Sequence, residues 1–116
     1  MSGRLTTHVL DTNAGRPAAG VGFRLFYLEG GFAGQPIELA FGATNDDGRT
    51  SQPLLEGESF RTGEYRLEFD VEGYFSDSHP SFLGLVPINF RVTDTTQNYH
   101  VPLVISPFGY STYRGS

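Results

Sequence analysis

Residues 64 to 71 read Glu-Tyr-Arg-Leu-Glu-Phe-Asp-Val, polar and apolar in strict alternation. Side chains on a strand point to opposite faces in turn, so Tyr65, Leu67, Phe69 and Val71 share one face and Glu64, Arg66, Glu68 and Asp70 the other. Val86, Ile88, Phe90 and Val92 alternate in the same way with Pro87, Asn89, Arg91 and Thr93. Two half-buried strands follow from this pattern. The β-branched and aromatic content of residues 5–10, 21–28, 37–44 and 99–105 predicts four more. Fifteen glycines and seven prolines break the chain at short intervals, which disfavours long helices. Asn45-Asp46-Asp47-Gly48-Arg49 predicts a tight turn with Gly48 at positive φ, and residues 12–17 predict another. Gly30-Gly31-Phe32-Ala33-Gly34 reads as a flexible loop, and the one place for a helix is residues 71–77, weakened by Gly73. Six or seven short strands at close spacing imply an all-β, antiparallel sandwich or barrel, in a single domain spanning residues 1–116.

Composition removes several function classes. Without cysteine there is no disulfide, catalytic thiol or thiolate metal site. All eight basic residues are arginine, which excludes lysine Schiff-base chemistry. Thirteen acidic residues against these give a net charge of −5, so no bulk attraction for nucleic acid or anionic lipid is expected. No stretch reads as a membrane span. The first eight residues lack the apolar run of a secretion signal, and a cytoplasmic location is expected. There is no Gly-x-Ser-x-Gly elbow, and the glycine-rich loops precede no helix that would cradle a phosphate.

What remains is a small set of side chains. If Leu5, Thr7 and Val9 face inward, His8 points out of the sandwich with Thr6 and Leu10. Taken alone, that is an ordinary surface histidine. Arg49 closes its turn either as a solvated charge or as a partner for a carboxylate such as Asp47. His100 is set opposite the apolar face of Tyr99, Val101, Leu103 and Ile105. Pro102 lacks the N–H that a sheet ladder needs, so this strand is expected to be an edge or to be bulged there. His79 reads as a loop residue without a role. The final stretch, Phe108-Gly109-Tyr110-Ser111-Thr112-Tyr113-Arg114-Gly115-Ser116, is unusually aromatic for a chain end, and either completes the last strand or is pinned at a specific place. Two histidines and an arginine suit proton transfer to water beside a cationic clamp, because imidazole titrates near neutrality. From these residue types alone, a hydrolase or lyase acting on a small anion is the expectation.

The same places carry a resemblance. Leu5-Thr6-Thr7-His8-Val9-Leu10-Asp11-Thr12, followed by Gly15, Pro17 and Ala18, resembles the opening signature of the 5-hydroxyisourate hydrolases, the transthyretin-like enzymes of urate breakdown. Thr44-Asn45-Asp46-Asp47-Gly48-Arg49, Tyr99-His100-Val101-Pro102-Leu103 and the closing Tyr110-Ser111-Thr112-Tyr113-Arg114-Gly115-Ser116 resemble the family's other motifs. The Tyr-Arg-Gly-Ser ending is the most specific of them. The family commonly has a histidine where this chain has Asn98, and the stretch from Phe82 to Pro87 also departs from the family pattern.

The resemblance implies a transthyretin-like sandwich of two four-stranded sheets with one short helix. Protomers would pair edge to edge, and two dimers would stack into a homotetramer whose channel holds the active sites. It further implies hydrolysis of the ring amide of 5-hydroxyisourate to 2-oxo-4-hydroxy-4-carboxy-5-ureidoimidazoline, without metal or cofactor. His8 and His100 would hold and deprotonate water, and Arg49 would bind substrate oxygens. Tyr113 would contact substrate, Ser116 would complete the pocket, and Arg114 and Gly115 would place the tail beside it. Two other classes stand beside this one. Transthyretin shares the fold and carries thyroid hormones without catalysis, and a structural module in a larger assembly would need neither outward histidine.

Overall fold

The computed structural model describes residues 3–76 and 82–115. His79 and Ser116 lie outside the described residues. In chain order the strands are β1 (Arg4–Asp11), β2 (Arg16–Pro17), β3 (Gly22–Glu29), β4 (Gln35–Ala43), β5 (Leu55–Glu56), β6 (Gly63–Asp70), β7 (Leu85–Val92), β8 (Tyr99–Ser106) and β9 (Gly109–Thr112), with α1 (Val71–Phe75) between β6 and β7. They form two sheets. One has the order β4-β3-β6-β7; the other runs β2-β1-β8-β9, with β5 also pairing to β1. The expected sandwich of two sheets with one short helix is therefore present, but one sheet has five strands where four were expected, because the two-residue β2 and β5 both pair with β1.

Among the described residues every strand pairing is antiparallel except one: β1 and β8 run parallel from Leu5↔Tyr99 to Asp11↔Ile105. The four-stranded sheet is completed between them in sequence, so the chain re-enters beside β1 in the same direction. The alternation seen in the sequence sets the burial. Tyr65, Leu67 and Phe69 of β6 are fully buried and face Leu5, Val9, Leu103 and Ile105 of the other sheet across one core. Tyr65 keeps its hydroxyl satisfied by donating to the Arg61 carbonyl at 2.6 Å, while its ring stacks on Phe90. Val71 belongs to the helix and not to β6. Asp70 caps that helix by accepting from the Gly73 amide at 2.9 Å, which leaves Val71 and Phe75 buried one turn apart.

The expectation of an edge strand at Pro102 is corrected. β8 lies inside its sheet, between β1 and β9. Its even-numbered residues turn their backbone groups toward the chain end, as the Gly115 amide bonding the His100 carbonyl at 2.8 Å demonstrates. The missing N–H of Pro102 therefore faces the tail. Pairing there is interrupted between Leu103↔Thr112 and the isolated bridge His100↔Gly115, which keep one register across the gap. The Thr112 hydroxyl donates to the Pro102 carbonyl at 2.8 Å and spans the interruption. Among the described residues, no helix is long and apolar enough to cross a membrane.

Candidate active site

Parallel pairing of β1 with β8 puts Thr6 opposite His100 and His8 opposite Pro102. Inward Leu5, Thr7 and Val9 leave Thr6 and His8 on the outer face, and inward Tyr99, Val101 and Leu103 leave His100 there too. The two histidines are thus diagonal neighbours one pleat apart. Their ring centroids are 6.5 Å apart and their planes inclined by 37°. Nδ1 of His100 is 2.8 Å from the Thr6 hydroxyl oxygen.

Arg49 arrives from a turn built for the purpose. The Asn45 side-chain oxygen accepts from the amides of Asp47 and Arg49 at 2.9 and 3.1 Å, and the Gly48 amide donates to the Asn45 carbonyl at 2.9 Å. The Gly48 carbonyl then accepts from the Val9 amide at 2.8 Å, which docks the turn on β1 next to His8. Gly48 is required there twice over. Its φ is +73°, and a Cβ would fall 2.3 Å from the Val9 carbonyl oxygen. Among the described residues, no carboxylate pairs with Arg49; the salt bridges are Arg24–Glu38 and Arg91–Glu64. Its guanidinium stays available at a cleft of about 340 Å³ lined by Arg4, Thr6, Arg49, Asn98 and His100.

The tail closes the other side of His100. A Cβ on Gly115 would lie 2.5 Å from its Cδ2, so the peptide rests directly on the imidazole. Arg114 donates from Nη2 to the Gln97 side chain at 3.0 Å and to the Asn98 carbonyl at 3.1 Å, and its guanidinium carbon stands 4.0 Å over the Tyr99 ring. Its charge is thereby committed to anchoring. Tyr113 is 60% exposed. With Arg114 and His100 it lines a neighbouring cleft of about 270 Å³ that opens toward Phe90 and Arg91. The structure thus brings His100 and Arg49 to one cleft, sets the His8 ring 6.5 Å from that of His100, places Gly115 against His100, and leaves Tyr113 and Arg114 at the adjoining cleft.

Both histidines bind protons more weakly than a free imidazole. For His8 the main cause is burial, reinforced by the Arg49 charge and partly offset by the main-chain carbonyl and carboxylate of Asp47. For His100 it is burial again, then Arg49, then His8. At neutral pH both are acceptors beside a fixed cation, as deprotonation of water requires. Among the described residues, no cluster of three or more histidine, aspartate or glutamate side chains could hold a metal ion. Arg4, Thr6 and Asn98 complete the lining; none of the three is a candidate site residue by sequence, although Thr6 is expected outward beside His8 and Asn98 stands where the family commonly has a histidine. Their signal was the two-residue period, which puts Arg4 and Thr6 on the face of His8, and Asn98 on that of His100.

The family model described as HIUase/Transthyretin matches residues 5–115 of this chain. The 5-hydroxyisourate hydrolase 2 of Rhizobium meliloti is 52% identical, over 99% of this chain and 98% of its own. The solved structure of Klebsiella pneumoniae 5-hydroxyisourate hydrolase matches with a TM-score of 0.80 at 32% identity, over 98% of this chain and 94% of that one. Transthyretin from Sparus aurata matches with a TM-score of 0.87 at 26% identity, over 97% of this chain and 96% of that one.

Proposed function

The chain belongs to the HIUase/Transthyretin family, and from that premise we propose that it is a 5-hydroxyisourate hydrolase working by histidine-activated water. The observation that carries this is the meeting of two outward, proton-poor imidazoles, 6.5 Å apart, with the Arg49 guanidinium, which pairs with no carboxylate among the described residues. A carrier would gain nothing from three such groups on one face, since each loses hydration when covered.

Water held by His8 and His100 gives a proton to one imidazole as its oxygen attacks the ring amide carbonyl of 5-hydroxyisourate. Arg49 stabilises the charge that develops on the carbonyl oxygen. The carbon–nitrogen bond breaks, the imidazolium returns its proton to the departing nitrogen, and a carboxylic acid, ionised at neutral pH, remains on the product. Imidazole and water supply every proton transfer in this scheme, and the guanidinium only stabilises charge. Tyr113 and Ser116 contact the substrate, while Arg114 and Gly115 hold the tail in place.

The active unit in this proposal is a cytoplasmic homotetramer. β7 and β9 are both edge strands, with Leu85 and Tyr110 exposed on them, which suits edge-to-edge pairing of protomers. Stacking two such dimers through the β1–β8 face would enclose the histidines in a channel.

The test is the ultraviolet decay of 5-hydroxyisourate generated in place from urate by urate oxidase. Acceleration far above spontaneous decay, lost in His100→Ala, is expected. No acceleration by a verified tetramer would overturn the assignment.

A further inference from the structure

The geometry points to Thr6 as the positioning residue of His100: its hydroxyl accepts from Nδ1–H, which leaves Nε2 as the proton acceptor that faces the cleft. This rests on the hydrolase function proposed above. Thr6 and His100 are directly paired on adjacent parallel strands, and their side chains meet at 2.8 Å on the outer face. Nδ1 and Cδ2 flank Cγ on the two edges of the ring. Nδ1 is tied to Thr6, and Cδ2 is pressed on Gly115, where a Cβ would sit 2.5 Å away. A half-turn of the ring would exchange those atoms, lose the Thr6 bond and leave a nitrogen facing the glycine without a partner. The ring therefore has one orientation, and among the described residues Nε2 is its one nitrogen without a partner.

The direction of the Thr6 bond follows from what else lines the cleft. Arg49 is a donor only, with no lone pair to accept an N–H. A lone pair on Nε2 suits that cation, whereas an Nε2–H would oppose it. The proton accordingly belongs on Nδ1, where a hydroxyl oxygen receives it. An acceptor nitrogen on His100 can then take a hydrogen of the attacking water and leave an oxygen lone pair free for attack.

The experiment uses ¹⁵N-labelled full-length protein and long-range ¹H–¹⁵N spectra above neutrality, where the imidazoles are uncharged. Wild-type His100 is expected as a single tautomer protonated at Nδ1. Thr6→Val, which keeps shape and removes the hydroxyl, is expected to mix the tautomers and lower kcat about 10- to 100-fold with KM little changed. Thr6→Ser is expected to restore the single tautomer and most of the rate. An Nε2-protonated His100 in the wild type, or a Thr6→Val enzyme with wild-type tautomer and kcat, would overturn the inference. If Thr6→Val does not fold, the wild-type and Thr6→Ser spectra decide. A wild type inactive on 5-hydroxyisourate would instead remove the function, with the tautomer spectra still testing Thr6.

Discussion

Gly115 both bonds and underlies His100: its amide donates to the His100 carbonyl at 2.8 Å, and its α-carbon leaves no room for a methyl group beside the ring, where a Cβ would stand 2.5 Å from Cδ2. The contact links the tail to the proposed base. Gly115→Ala must either swing the imidazole or lift the tail. A displacement of about 1 Å at a reacting group can lower the rate about 100-fold, so turnover should fall by that order. The tail lies at a sheet edge, away from the core, and stability should change by less than about 1 kcal/mol. Steady-state kinetics with a thermal melt checks this. A folded Gly115→Ala enzyme with wild-type kcat would mean that the contact is incidental.

Gly48 can be compared with Gly57, because both have left-handed backbone but different surroundings. Gly57 has φ +64° and open space around it, whereas Gly48 has φ +73° and the Val9 carbonyl where its Cβ would go. Gly57→Ala should cost about 1–2 kcal/mol, the conformational penalty alone. Gly48→Ala adds a steric clash and endangers the bond that docks the turn, for a further loss of about 1 kcal/mol or more. It should also reduce turnover, because that bond seats Arg49. Urea denaturation of the two variants, read with their kcat values, separates the effects.

The lowered proton affinities of His8 and His100 set the pH dependence. Burial is the larger cause for both, and Arg49 the next. Activity that requires neutral imidazoles should persist below pH 6.5, the ordinary value, and fall through the lower pKa of the folded site. Stability has the same sign. Between the folded pKa and 6.5 the unfolded chain binds more protons, so stability falls as pH drops through that window. Arg49→Met removes the second cause but not the first. Its acid limb should move up toward 6.5 without reaching it, as kcat/KM profiles on both proteins would record. An unmoved limb would place Arg49 electrostatically remote from the histidines.

Much of this was legible in the residues. The alternation in 64–71 and 86–92 located β6 and β7 and their buried faces, because one wet and one dry face leave a period-two mark. The outward placement of His8 and His100 followed from the same rule. Pairing was not legible. Nothing in the β1 or β8 sequence says that they run side by side and parallel, since that is decided by the remaining strands closing elsewhere. Pro102 misled for this reason: its lost donor is tolerable inside a sheet when the neighbour on that side is a short tail that breaks its own pairing there. The two-residue period puts Arg4, Thr6 and Asn98 on the outer face, but only the strand register brings them to one cleft with Arg49.

Asp11 and Tyr74 offer a change to the scaffold that should spare the chemistry. Asp11 is buried on the inward side of β1, and its carboxylate accepts from the Asn13 and Ala14 amides at 2.9 and 3.0 Å and from the Tyr74 hydroxyl at 2.7 Å. The tyrosine bond ties α1 to the β1 sheet. Burial, and then this bond, push the Tyr74 pKa up to about 12. Tyr74→Phe leaves Oδ2 without that partner and should cost about 1–3 kcal/mol. Turnover should be unchanged, because inward Asp11 and outward His8 lie on opposite faces of one strand. The raised pKa adds a signed consequence. From the ordinary value of 10 up to about 12, the unfolded tyrosine has ionised and the folded one has not, so this contribution to stability is lost as pH rises. The gap between wild type and Tyr74→Phe should therefore narrow above pH 10, and a gap that stayed constant in denaturation series across that range would place the stabilisation elsewhere than in the Tyr74–Asp11 bond.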